Sequence, residues 1–135
     1  MITNQILENF ITRKQEIVDL CTNKGFSNLK LTTTGMVEDT VQILVKKMDD
    51  KTDMFDKVRV GKRIADIIGC KVDIITIAQI PSFIKEEVSN NAISLNNDKD
   101  IKNFFFKNLI KADEAVEYTL HGLEQWTLNL RKILK

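Results

Sequence analysis

The sequence predicts an α/β domain, a small mixed sheet of at least three strands flanked by helices, continuing into a long C-terminal helix or helix pair. Three observations predict it. Apolar residues recur at helical spacing over residues 3–24, 53–69 and 99–135. Short stretches at 29–31, 41–45 and 71–77 alternate with period two instead. Glycines and charged loops separate the two kinds of segment. The expected organisation is an α/β unit over residues 1–95 and a helical extension over 96–135, divided at the polar run Asn96-Asn97-Asp98-Lys99-Asp100.

Composition sets the bounds. A chain of 135 residues, 43% hydrophobic, can bury one real core and is short for two. Twenty basic against nineteen acidic residues leave a net charge of +1, without the basic excess expected of a protein that binds nucleic acid or a membrane surface. No apolar run approaches the roughly 18–20 residues of a membrane span. The first ten residues lack the basic and apolar regions of a secretory signal, so a cytoplasmic protein is expected. Cys21 and Cys70 stand among apolar neighbours and read as buried free thiols of a reducing compartment.

Each element has its own reason. Ile6, Leu7, Phe10, Ile11, Ile17, Val18 and Cys21 make one apolar stripe over residues 3–24, interrupted at Lys14, and Gly25 suits the residue just past a helix end. Leu29-Lys30-Leu31 alternates and runs into three threonines, with the turn at Gly35. In the next strand Val41, Ile43 and Val45 share one face, and Thr40, Gln42 and Leu44 the other. Thr52 or Asp53 caps a helix whose apolar face is expected to be Phe55, Val58, Ala65 and Ile68, with Ile64 beside it, and which Gly69 ends. Arg59, Lys62 and Arg63 lie on its polar side and read as a solvated basic face. A third strand alternates Val72 and Ile74 against Asp73 and Ile75. Pro81 suits the first turn of a further helix anchored by Phe83, Ile84 and Val88. From Phe105 the apolar or small residues Leu109, Ala112, Val116, Thr119, Leu123, Trp126, Leu130 and Ile133 follow in steps of four and three, the 3.5-residue period of a helix-packing seam. Gly122 is where that run would fold into an antiparallel pair.

This order of elements, with three passages, resembles the minimal nucleotidyltransferases, small relatives of the aminoglycoside nucleotidyltransferases. The passages are RKQEIVDLCTNKGFSNLKL (residues 13–31), IADIIGCKVDIITI (64–77) and PSFIKEEVSNNAISL (81–95). The resemblance implies a particular chemistry. A Gly-Ser pair in the first turn holds a nucleoside triphosphate, and two aspartates spaced D-x-D on the second strand share one face. With a third acid on a neighbouring strand they hold Mg²⁺. This chain departs from that pattern. It has Thr33-Thr34 at the Gly-Ser position and Thr40-Val41-Gln42 at D-x-D, and its connection between the strands is shorter. Asp73 matches a family acid. A hydroxyl and an amide do not replace two carboxylates around a divalent cation. Each lost anion removes a Coulomb attraction of several kcal/mol even at an effective dielectric of about 20. No bound metal and no cofactor are therefore expected.

Other acids do not restore the set. Glu38 and Asp39 are adjacent in a turn and point apart, and Asp98-Lys99-Asp100 is explained by a helix start. Asp49, Asp50 and Asp53 belong to a loop. His121 is the sole histidine, which argues against a zinc site and against a histidine-activated nucleophile. The five glycines are scattered and form no phosphate loop.

The C-terminal pattern supplies the positive expectation. A helix of about 35 residues would be some 50 Å long, more than this domain can cover. Part of its seam is expected to meet a second copy or a helical protein through Phe105, Leu109, Val116, Leu123, Trp126 and Leu130. The passage LIKADEAVEYTLHGLEQW (109–126) is also faintly similar to the opening helix of HEPN domains, which are commonly paired with minimal nucleotidyltransferases in toxin–antitoxin modules. The HEPN ribonuclease motif is unmet, because no arginine stands at suitable spacing before His121. The expected function is thus a catalytically inactive binding protein, a homodimer or an antitoxin-like partner. The alternative is a residual nucleotide or Mg²⁺ binder, or a divergent transferase, using Asp73 with Glu38 or Asp39.

Overall fold

Alternation in one strand decides how the sheet is buried. In the computed structural model, which describes residues 2–33, 39–48 and 54–110, strand β2 (Thr40–Lys47) lies between β1 (Phe26–Thr32) and β3 (Lys71–Thr76), with β4 (Ile93–Ser94) beyond β1. β1 pairs antiparallel with both β2 and β4, while β2 and β3 are parallel. A parallel pair needs a crossover, and helix α3 (Met54–Ile68) supplies it. Val41, Ile43 and Val45 are at most 1% exposed on the back of the sheet. They join one core with Phe26, Leu31, Val72 and Ile74 of the sheet and with residues of α1 (Asn4–Thr12), α2 (Lys14–Asn23), α3 and α5 (Asp98–Asn108). On the front, Leu44, Ile80 and Val88 form a smaller cluster with Ile75, Ile84 and Ala92, under the short helix α4 (Lys85–Asn91).

The elements follow the sequence expectation with instructive corrections. The stripe over 3–24 is divided between two helices. Arg13 leaves helical geometry at φ −108°, ψ 22°, beside the Lys14 that interrupts the stripe. Its guanidinium donates two 2.8 Å hydrogen bonds to Glu16, which holds that carboxyl below its usual range. Lys14 pairs with Asp98 at 2.8 Å, tying the start of α2 to the start of α5. Gly25 and Gly69 do follow helix ends, with φ of 85° and 92° that favour glycine. β1 is longer than its alternating core because Asn28, at φ 51°, admits an irregularity between Ser27 and Lys30.

The apolar face of α3 is only partly the expected one: Ile68 and Ala65 pack in the core, and Phe55 and Val58 do not. Val60, Ile64 and Ile68 are buried, whereas Phe55 and Val58 are 66% and 64% exposed. The cause is sheet topology. β3 is an edge strand, so the side of α3 that overhangs it has no further layer to cover it. Gly61 sets the close approach: a β-carbon there would stand 2.8 Å from the Val72 carbonyl oxygen. Likewise Phe83 is 86% exposed instead of anchoring a helix. Pro81 stands in a turn, Ile84 N–H donating to its carbonyl, and α4 begins only at Lys85.

α5 begins just past the division expected at residues 95 and 96. Asn97 caps it, its side-chain oxygen accepting from the N–H groups of Lys99 and Asp100. Ile101, Phe104 and Phe105 then enter the same core as the sheet. Phe105 is fully buried, its ring centroid 5.6 Å from that of Phe10. The helix ends at Asn108, which interrupts the long apolar run after Phe105. Residues 111–135, with Gly122 and His121, lie outside the described residues.

Candidate functional site

Register assembles a polar row on the front of the sheet. Thr32 pairs with Gln42 across the antiparallel ladder, and Gln42 with Asp73 across the parallel one. Directly paired residues project to the same side, so the three side chains form one line across β1, β2 and β3. Thr40, two residues before Gln42, shares that side and pairs with Lys71. Thr32, Thr40 and Gln42 are 1%, 4% and 5% exposed, and Asp73 at the sheet edge is exposed. The Thr32 hydroxyl has no hydrogen-bond partner among the described residues. A buried polar group in that state costs about 1–3 kcal/mol.

This row accepts and donates hydrogen bonds but carries one carboxylate. Among the described residues no three of His, Cys, Asp and Glu come together as a cation site. Asp39 precedes β2 at φ 57°, exposed, and Glu38 lies outside the described residues. The described residues therefore do not fit a divalent cation held by carboxylates, because the positions beside Asp73 offer an amide and a hydroxyl. The thiols add no nucleophile at neutral pH. Burial pushes Cys21 up to about 12 and Cys70 up to about 11. Both are free cysteines.

The structure unites part of what the sequence singled out. Thr40, Gln42 and Asp73 meet on one face. Thr33 does not join them. It lines a separate pocket of about 330 Å³ with Ile93, Phe104 and Lys107, and Thr34 lies outside the described residues. Of the residues expected to face a partner, Phe105 is a core residue of its own chain, and Leu109 is half-buried against that core. Val116, Leu123, Trp126 and Leu130 lie outside the described residues. Sequence reasoning passed over Thr32, although continuing the Leu29-Lys30-Leu31 alternation puts it on the polar side.

The four-stranded mixed sheet with this crossover is a fold shared with solved nucleotidyltransferase-like proteins. A solved minimal nucleotidyltransferase matches with a TM-score of 0.56 at 21% identity, covering 66% of this chain and 95% of its own. The MntA–HepT toxin–antitoxin structure matches at 12% identity and a TM-score of 0.50, covering 92% of this chain and 98% of its own. The same values hold for a tri-AMPylated HEPN toxin of Shewanella oneidensis in complex with its MNT antitoxin. No protein-family model matches the sequence, and no curated protein matches it as a relative. At these identities the likeness is one of fold.

Proposed function

We propose that this chain is a catalytically inactive nucleotidyltransferase-like protein that works in the cytoplasm by binding another protein, as a homodimer or as the antitoxin-like partner of a helical protein. One observation carries this reading. The two positions that flank Asp73 on the front face hold a buried hydroxyl and a buried amide, Thr40 and Gln42, where Mg²⁺-dependent transfer calls for carboxylates. Support for the partner comes from the fold neighbours, among them an MNT antitoxin in complex with a HEPN toxin, which is a helical protein. Leu109, Val116, Leu123, Trp126 and Leu130 are the residues assigned to the contact, and Phe105 drops out of that set as a core residue. Mass measurement of the full chain, alone and co-expressed with a HEPN-domain protein, tests the proposal. A dimer or a stable complex is expected, together with no transfer of labelled nucleotide. A strict monomer that forms no complex defeats it.

A second reading has a specific observation in its favour. Asp73 is exposed and lines a groove with Lys57, Lys62 and Lys71, cations that suit a phosphate. Calorimetry with ATP and Mg²⁺ decides: heat lost in Asp73→Ala would establish a residual nucleotide site, and no heat at millimolar ligand ends the idea.

A further inference from the structure

We infer that the outward side of α3, where exposed apolar residues lie beside a groove rimmed by lysines, docks an acidic amphipathic helix of a partner protein. The inference rests on the reading that the chain works by binding, but it places a contact away from the C-terminal seam. Met54, Phe55 and Val58 are 71%, 66% and 64% exposed within two turns of one helix, and Ile77 at the end of β3 is 45% exposed. Among the described residues the other exposed large apolar side chains, Met48 and Phe83, stand outside this helix, and large side chains left open together mark an interaction surface. Below them a groove of about 440 Å³ runs between α3 and the sheet edge. Met54, Val58, Gly61 and Ala65 line its helix side, and Val72 and Ile74 its strand side.

Charge selects the occupant. Lys57, Lys62 and Lys71 line this groove against one carboxylate, Asp73. On the other flank of α3 a groove of about 320 Å³ is lined by Lys24, Arg59, Lys62 and Arg63 with no carboxylate. Arg59 stands 3.8 Å from Asp56 and is 68% exposed, so that ion pair is weak. A segment that places leucines on Met54 and Val58 and carboxylates near the lysines satisfies both features, and an amphipathic helix presents them at i, i+3 and i+4. Nucleic acid fits less well. Neither groove is lined by an aromatic side chain on which a base could stack, and the exposed area is aliphatic and thioether as much as aromatic.

Fluorescence anisotropy with the full chain tests this, using a labelled peptide of glutamate, alanine and leucine with leucines at helical spacing. A lysine-for-glutamate peptide and an oligouridine RNA serve as comparisons. The glutamate peptide is expected to bind at least about tenfold more tightly than either. Val58→Asp, and separately Lys57→Glu with Lys62→Glu, should each weaken it by about tenfold or more. Circular dichroism of the exposed-site variants checks that the fold is kept. Equal affinity for the two peptides, tighter binding of RNA, or indifference to Val58→Asp overturns the inference. So does a dimer that Val58→Asp dissociates, which would assign the face to a second copy. If the peptide fails while the chain still forms a dimer or a HEPN complex, this surface is wrong and the proposed function stands.

Discussion

The two faces of β2 share an alternation and differ in what they demand. Val41, Ile43 and Val45 on the back and Thr40, Gln42 and Leu44 on the front are all at most 5% exposed. The back is held by shape and apolar area, so an apolar side chain of similar volume serves. The front must also satisfy hydrogen bonds, because burying a polar group without a partner is costly. A chain selected for stability alone would fill Thr32, Thr40 and Gln42 with aliphatic residues. Their presence in the row with Asp73 is therefore not explained by packing alone.

The comparison can be broken by substitution. Ile43→Ala on the back should cost about 2–5 kcal/mol in denaturant unfolding, the range for emptying a fully buried aliphatic site. A much smaller loss would mean that the core collapses around the gap. Gln42→Asp on the front places a second carboxylate beside Asp73 at a site 5% exposed. Burial and like charge both raise the new carboxyl, so its protonated form is the one the fold tolerates. Its stability deficit should therefore be small at about pH 4 and grow to about 2–4 kcal/mol by about pH 7. In Thr40→Asp/Gln42→Asp, Lys71 opposite residue 40 offsets part of the cost, and added Mg²⁺ should raise the melting temperature if the scaffold still suits a cation. A Gln42→Asp chain as stable as its parent at neutral pH would count against an inactive, closed face.

Smaller effects sharpen the contrast. Thr32→Val removes a buried hydroxyl that lacks a partner and should stabilise the chain by about 1 kcal/mol, the opposite sign to Ile43→Ala. Destabilisation instead would reveal a partner for that oxygen. The cysteines give a pH test. Both thiols sit above the ordinary thiol range in the folded chain, at about 12 for Cys21 and about 11 for Cys70. Their contribution to stability is fully present below the unfolded thiol value and is lost as pH rises through that window. Alkylation at neutral pH should be slow, with half-buried Cys70 labelled before Cys21. Fast labelling of Cys21 would mean that the core between α2 and the sheet opens readily.

Much of this was legible in the chain. The faces of each strand and the glycine that follows a helix end are read from a period of two and from residue identity, while the family resemblance implied that Asp73 belongs with positions 40 and 42. The misses have a common origin. Phe55, Val58 and Phe83 have the spacing of a buried face, yet no layer covers them, and a one-dimensional pattern does not reveal where a sheet ends. β4, only Ile93–Ser94, is too short to show an alternation. The end of α5 at Asn108 interrupts a seam that Phe105 and Leu109 continue without a gap in sequence.

The sequence by itself determined which residues could stand together on one face of a strand or helix, and that Thr40 and Gln42 bring a hydroxyl and an amide to one face of β2, since both are matters of identity and period. Tertiary structure alone decided that Thr32 completes the row and that Phe105 belongs to the core. It also decided that α3 turns an apolar, lysine-rimmed side to the outside. Register, strand order and the close approach at Gly61 come from contacts between residues far apart in the chain, and local spacing carries no record of them.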